Sequence, residues 1–279
     1  MRPSGQLVDV EDSDERAGQL ERGQLLRVRA GLGRFRSLIG RSSTSARQGN
    51  RSCGDRLDLR AVRPGINVRP PAITAPMSDV STRQALIQRV VQNPPPVHGA
   101  AAGATGVWST AHDCYDFMAR HVEPGSRTLE TGCGISTALF ALWGAEHTCV
   151  VYDQGEVDIL VSWAVQQGVD ISRLTFEIGP SDDVLPRLEP TELDLVFVDG
   201  SHAFPAAIMD WFYAAGRLRQ GGVCVMDDVQ LPMVTLGLFE FFAKDPRWEL
   251  IVRTDKWIGL VRHSSGPLRE EWTEQPFLS

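Results

Sequence analysis

Thr128-Leu-Glu-Thr-Gly-Cys-Gly-Ile-Ser-Thr137 follows a Pro124-Gly125 turn and runs into an apolar helical stretch. The order is strand, acid, glycines, helix, and each part has a physical purpose. Glycine lets the chain turn tightly and lets a ligand lie against the main chain. The free amides of the next helix then point at that ligand. Glu130, Gly132 and Gly134 are therefore the first candidate binding residues. Cys133, between the glycines, has no basic neighbour in sequence and reads as a small filler rather than a nucleophile.

Downstream of this stretch, strands and helices alternate. Strands are expected at 127–130, 147–152, 174–178, 193–198 and 222–226, with helices at 136–143, 156–167, 182–188, 205–218 and 233–243. Such alternation predicts an α/β fold, a Rossmann-like sheet that is mostly parallel with helices on both faces. The strands are almost wholly apolar, as burial on both faces requires. Two further strands, 248–253 and 256–262, are separated by Thr254-Asp255 alone. That gap is too short for a parallel crossover, so the pair is an antiparallel hairpin. Phe239, Phe241 and Phe242 read as core residues.

Upstream, Ser81–Gln92 reads as a short amphipathic helix stopped by Asn93-Pro-Pro-Pro96. Residues 97–107 are rich in Ala and Gly and form a loop. Ser109 can cap a helix over 110–121. Residues 1–76 carry 14 arginines against eight acids, a balance of +6, so the remainder holds about −13 of the net −7. An acidic globular part is poorly suited to wrapping a nucleic-acid backbone. The basic head is expected to be a disordered extension over 1–76, with a transient helix within 20–39 and an extended linker over 64–76. The domain proper spans 77–263, and 264–279 reads as a tail. No apolar run is long enough for a membrane helix and no signal peptide is visible. The five cysteines are scattered, without CxxC pairs, which fits a reducing cytoplasm.

Ligands of open α/β sheets bind beyond the carboxyl ends of the strands. Asp153 ends the second strand, where a carboxylate can accept both hydroxyls of a ribose; Glu156 lies behind it, and helix capping is its plainer role. Asp199 ends the fourth strand and His202 follows in its loop, where an imidazole can take a proton near neutral pH. Asp227 and Asp228 end the fifth strand. Asp210, on a helix, reads as solvated or capping. Trp108 either lines the cofactor mouth or only packs.

The loop at 130–136 fits a dinucleotide fingerprint poorly, since Thr137 stands where G-x-G-x-x-G needs glycine. Glu130-Thr-Gly-Cys-Gly-Ile-Ser136 instead resembles the acid-x-G-x-G-x-[G/S] loop of class I S-adenosylmethionine-dependent methyltransferases, and the terminal hairpin resembles the reversed strand of their seven-stranded sheet. Over residues 97–262 the chain is similar to methyltransferase family 24, of the catechol O-methyltransferase type. The resemblance implies S-adenosylmethionine as cofactor, held by Glu130, Thr131, Gly132, Gly134 and Ser136 of the loop and by Asp153. It also implies adenine contacts from Ser181, which otherwise reads as an N-cap, and from Asp182, and a small-molecule hydroxyl as acceptor. Asp199 and His202 would orient or deprotonate that acceptor. In the catechol type, metal ligands come from these strand ends, so Asp199, Asp227 and Asp228 are the implied ligands of Mg²⁺, which such oxygen donors suit. The helix Ser81–Gln92 and the 97–107 loop would close over the site. A homodimer is an allowed assembly; neither nucleic acid nor membrane is an expected partner. The competing readings are an NAD-dependent oxidoreductase, a non-catalytic cofactor-binding protein and a hydroxylase-like relative on the same fold.

Overall fold

The computed structural model describes residues 27–30, 77–99, 102–103, 106–189, 191–235 and 245–265. In chain order these form β1 (Arg27–Ala30), α1 (Met77–Gln92), α2 (His112–Ala119), β2 (Arg127–Thr131), α3 (Ile135–Leu142), β3 (Glu146–Val151), α4 (Gln154–Gln167) and β4 (Leu174–Ile178). Then follow α5 (Ser181–Val184), β5 (Leu193–Val198), α6 (Ala206–Ala215), β6 (Leu218–Met226), α7 (Pro232–Thr235), β7 (Trp248–Arg253) and β8 (Ile258–Arg262).

The strands make one sheet in the order β1-β4-β3-β2-β5-β6-β8-β7. All pairs from β1 to β6 are parallel, and β8 runs antiparallel to both β6 and β7. The seven strands between 127 and 262 are the mostly parallel, Rossmann-like sheet expected from the alternation. β1 is an addition: Arg27 pairs with Thr175 and Ala30 with Ile178, inside the stretch expected to be unstructured or transiently helical. The outer edge of β4 offers a row of unsatisfied backbone groups, and a short strand satisfies them whatever the composition of its flanks. The expected helix over 233–243 is described only as α7, and Phe239, Phe241, Phe242, the 64–76 linker and nearly all of the tail lie outside the described residues.

Alternation along each strand divides the core into two layers. Cys149, Val151, Leu195, Phe197 and Val225 pack with α1 to α4, through Ile87, Met118, Leu139, Phe140 and Leu160. Leu129, Val150, Val196, Val198 and Cys224 pack on the other face with Trp211, Ala214 and Trp248. Asp210 is in this second layer, fully buried at 0% exposure, rather than solvated. The apolar run Ala206-Ala-Ile-Met-Asp-Trp211 carries it inward at helical spacing.

The chain switches direction across the sheet between β2 and β5, the point where open α/β sheets hold ligands. The closing hairpin also differs from its expected form. Its connection is Thr254–Trp257, four residues rather than two, and Thr254 Oγ1 accepts the amides of Lys256 and Trp257 at 3.1 and 2.8 Å. Lys256 is therefore a turn residue. Because β8 is antiparallel to β6, that turn lies at the carboxyl end of β6, and the Lys256 carbonyl accepts the Val229 amide at 2.8 Å.

Candidate active site

At the carboxyl ends of β2, β3, β5 and β6 a cleft of about 830 Å³ opens, within the range of small-molecule and cofactor sites. Its floor is the loop from Thr131 to Ser136. Gly132 has φ +101°, and a Cβ there would stand 2.4 Å from the Asp199 carbonyl oxygen. The turn out of β2 thus presses directly on the end of β5, and only glycine permits it. Cys149 Sγ donates to the Gly132 carbonyl at 3.0 Å from beneath.

Glu130 is not among the residues lining the cleft. It points into the first core layer, 1% exposed. There its Oε1 accepts a short hydrogen bond from Thr137 Oγ1 and faces His147 Nε2 at 3.1 Å. Thr137 Oγ1 in turn accepts the Gly134 amide at 2.9 Å. Thr128 Oγ1 lies 2.8 Å from His147 Nδ1, and Phe140 stacks on the imidazole at 4.3 Å. Glu130 acts on the loop through Thr137, as a strut behind it. Thr137, which disfavours a dinucleotide fingerprint, is the linking member.

Thr131, Gly132, Gly134, Ser136, Ser181 and Asp182 all line the cleft. Thr131 Oγ1 is buried without a hydrogen-bond partner. That hydroxyl lies beside the Asp210 carboxylate, so it is the side-chain-free backbone of Gly132 and Gly134 that fits the polar end of a cofactor. Ser181 is not the N-cap of α5, since Pro180 holds that position without a side-chain bond. Asp153 is exposed at the rim, caps α4 and accepts the Gly155 amide at 2.7 Å. The acid lining the cleft at this edge is Glu156, its pKa raised by burial and by the neighbouring Asp153.

Asp210 lies under this wall. Neither of its oxygens has an aligned partner, and burial raises its pKa; the hydroxyls of Ser181 and Thr131 lie beside it and offset only part. Its Oδ2 would stand 3.0 Å from a Cβ on Gly200. Asp210 thus closes in on the backbone next to Asp199.

Opposite the loop is an acidic corner. Asp199, His202, Asp227 and Asp228 all line the cleft, as does Lys256. His202 Nε2 is 2.8 Å from Asp228 Oδ2, an ion-pair distance without hydrogen-bond alignment, and 3.9 Å from Asp199 Oδ1. Asp227 is 3% exposed, and its Oδ1 accepts from Thr110 Oγ1 at 2.7 Å. Lys256 Nζ bridges Asp227 Oδ2 at 3.1 Å and Asp228 Oδ1 at 2.6 Å. Gln230 Nε2 donates to the same Asp228 oxygen at 2.7 Å. Asp228 is the one non-glycine residue with positive φ among those described, +53°. Aspartate tolerates that region better than most side chains.

Burial raises Asp199 well above the ordinary carboxylate range, helped by the charges of Asp227 and Asp228. Burial raises Asp227 too, against the hydrogen bond from Thr110 and the charge of Lys256. For Asp228 the upward push of burial is outweighed by hydrogen bonds from Lys256 and Gln230 and by the charges of Lys256 and His202, so its pKa is lowered. Burial would lower Lys256, but Asp228 and Asp227 hold it above its ordinary value.

The donors do not fit a divalent ion on Asp199, Asp227 and Asp228. Both Asp227 oxygens and Asp228 Oδ1 are occupied by donors of the chain itself. Asp199, His202 and Asp228 do bring one atom each within 4.8 Å of one another. An ion there would meet the Lys256 ammonium on a shared carboxylate.

Lys256 and Thr110 are the site residues that the strand pattern misses. One signal was present: only two of the 28 basic residues are lysine, and this is one of them. α1 lines no part of the cleft; from the upstream region the lining comes from His98, Trp108, Ser109 and, on α2, Tyr115. Trp108 is 63% exposed, its ring 4.8 Å from that of His98. No helix among the described residues is long and apolar enough to cross a membrane.

Residues 129–229 match the family model described as a methyltransferase domain, Methyltransf_24. No curated protein matches the chain. Among solved structures, a Klebsiella pneumoniae protein assigned as an O-methyltransferase is similar at 21% identity and TM-score 0.52, over 67% of this chain and 96% of its own. The O-methyltransferase TomG of Streptomyces achromogenes, involved in tomaymycin synthesis and solved with S-adenosylmethionine, is similar at 18% identity and TM-score 0.50, over 67% and 96%. An O-methyltransferase from Bacillus cereus, solved with S-adenosylhomocysteine, is similar at 19% and 0.50, over 64% and 90%. These likenesses are of fold, while the family match is one of sequence, and it covers the glycine loop and the acidic corner. The family match thus places a methyltransferase domain of the Methyltransf_24 type over residues 129–229, and the solved structures share the fold that surrounds it.

Proposed function

We propose that this domain methylates a hydroxyl oxygen of a small molecule. One observation carries the reading: Asp199 and His202 face the same cleft as the glycine loop, so an acceptor and a cofactor can meet there. S-adenosylmethionine supplies a sulfonium methyl; the acceptor oxygen forms the new C–O bond, the S–CH₃ bond breaks, and its electron pair stays on sulfur as S-adenosylhomocysteine. The chain must hold the cofactor, position the acceptor and take its proton.

The Thr131–Ser136 backbone is suited to the methionine end. Glu156 on the cleft wall, with Asp153 beside it, would hold the ribose hydroxyls, and Ser181 and Asp182 would hold the adenine. His202 accepts the acceptor proton, with Asp228 and Asp199 orienting its ring. Holding oxygen and methyl in line supplies much of the rate, since positioning alone can reduce a barrier by about 7–11 kcal/mol. Trp108 and Phe204, 63% and 62% exposed on the cleft wall, favour an acceptor with an apolar or aromatic body.

Calorimetry with S-adenosylhomocysteine on the full chain tests the cofactor half. Saturable one-to-one binding is expected, weakened at least tenfold in a Ser136→Trp variant that fills the loop. Methyl transfer from labelled cofactor to a panel of phenols, alcohols and amines tests the rest. Cofactor binding with no labelled product from any hydroxyl would overturn O-methyl transfer in favour of a binding protein.

A further inference from the structure

We propose that Lys256 is the resident cation of this site and does, without a bound metal, the electrostatic work expected of a divalent ion. This rests on the methyltransferase reading for what it stabilises, but not for the occupancy of the corner. Three carboxylates, Asp199, Asp227 and Asp228, converge at the ends of β5 and β6. A corner so charged needs a compensating cation. The chain provides one from the β7–β8 turn, at 3.1 Å from Asp227 and 2.6 Å from Asp228.

Three further observations place that ammonium as a built part of the site rather than a passing surface ion pair. Asp227 is locked on its other oxygen by Thr110, so its carboxylate is aimed at Lys256. The turn is fixed by the Thr254 hydroxyl and by the Val229 amide bonding the Lys256 carbonyl, so the stem of the lysine starts from a held position. Lys256 is two-thirds buried and lines the cleft. An ammonium has three donors. Two are directed at Asp227 and Asp228, and the third has no partner among the described residues. It is available to the oxygen of the acceptor, on which negative charge develops as its proton leaves for His202. No extra reactant is needed: the proton goes to imidazole, the methyl to oxygen, and the lysine stays protonated throughout.

The same geometry explains why the Asp199, His202 and Asp228 atoms do not make a metal centre. A dication there would share Asp228 with an ammonium, and like charges a few ångströms apart in a half-buried cleft repel strongly.

The test measures Mn²⁺ by electron paramagnetic resonance on the full chain, with S-adenosylhomocysteine calorimetry on the same samples. The native protein is expected to show no saturable Mn²⁺ site, and its activity to be unchanged by a chelator. Lys256→Ala is expected to gain one Mn²⁺ site that Asp228→Asn then removes. It should lose roughly 100-fold or more in turnover, the scale for removing one oxyanion donor, at unchanged cofactor affinity. Lys256→Gln keeps the length of the side chain without the charge and guards against misfolding of the alanine variant; it should lose turnover similarly. One tight Mn²⁺ per native chain would overturn the proposal, as would no gain of metal binding in either folded variant. Loss of S-adenosylhomocysteine binding by the native protein would instead strike at the methyltransferase reading, leaving the Mn²⁺ result to stand by itself.

Discussion

The two glycines of the loop should fail in different ways when each is given a methyl group. In Gly132→Ala the new Cβ meets the Asp199 carbonyl oxygen at 2.4 Å, at φ +101°. The backbone conformation costs about 1–2 kcal/mol for an L-residue. The clash is with main chain, which cannot rotate away, and overpacking of this kind adds about 1–3 kcal/mol. The total, about 2–5 kcal/mol, lowers the melting temperature by roughly 5–15 °C for a domain of this size. In Gly134→Ala the nearest atom is Val107 Cγ2 at 3.6 Å, an ordinary contact, and φ is 169°, which any residue adopts. That variant should melt within about 2 °C of the native protein. Yet the Gly134 backbone lines the cleft, so it should bind S-adenosylhomocysteine at least tenfold more weakly. Thermal melts of the two variants, with calorimetry beside them, make the comparison. If Gly132→Ala melted with the native protein, the close seating of β2 on β5 described above would be wrong. If Gly134→Ala bound cofactor unchanged, the loop would not be its cradle.

Asp210 predicts a pH dependence. Its pKa is raised in the fold, so at pH values above the ordinary carboxylate range the native state keeps a proton that the unfolded chain has lost. Stability from this residue is greatest at low pH and falls as pH rises through the raised value. Denaturant midpoints of native protein and Asp210→Asn, measured between about pH 4 and 8, should diverge in favour of the variant as pH increases; parallel curves would sink the idea. Thr110→Val removes the 2.7 Å hydrogen bond to the Asp227 carboxylate. It should cost about 1.5–3 kcal/mol in a urea titration, as for hydrogen bonds to charged groups; a loss under about 0.5 kcal/mol would mean that Thr110 does not hold Asp227.

The fold was legible because strands 174–178 and 193–198 are apolar runs bounded by turns, and such runs have one stable use in an alternating chain. The glycine loop was legible because its function needs particular backbone freedom at Gly132. Glu130 was legible as important but not as to direction, since alternation in β2 turns it toward α3 and away from the cleft. Asp153 illustrates a local competition that composition cannot resolve: a carboxylate at a strand end also starts a helix, and here it caps α4. Asp210 is not legible as a buried acid, because an acid in a helix is usually wet and only the sheet beneath α6 shows which face is inward. Lys256 was hidden by long-range geometry. It is 28 residues from Asp228 in sequence, and nothing local reveals that a reversed strand brings it back.

That reversal affects the order in which the site is assembled. β2 to β6 can be built from successive βαβ units, each closing over a few dozen residues. They bring Asp199, Asp227 and Asp228 together while Lys256 is still downstream. During synthesis the corner is therefore a concentrated negative charge until β7 and β8 dock, with β8 inserting between β6 and β7. The hairpin acts as a clasp: its docking both completes the described sheet and brings the Lys256 ammonium to the carboxylates that face it.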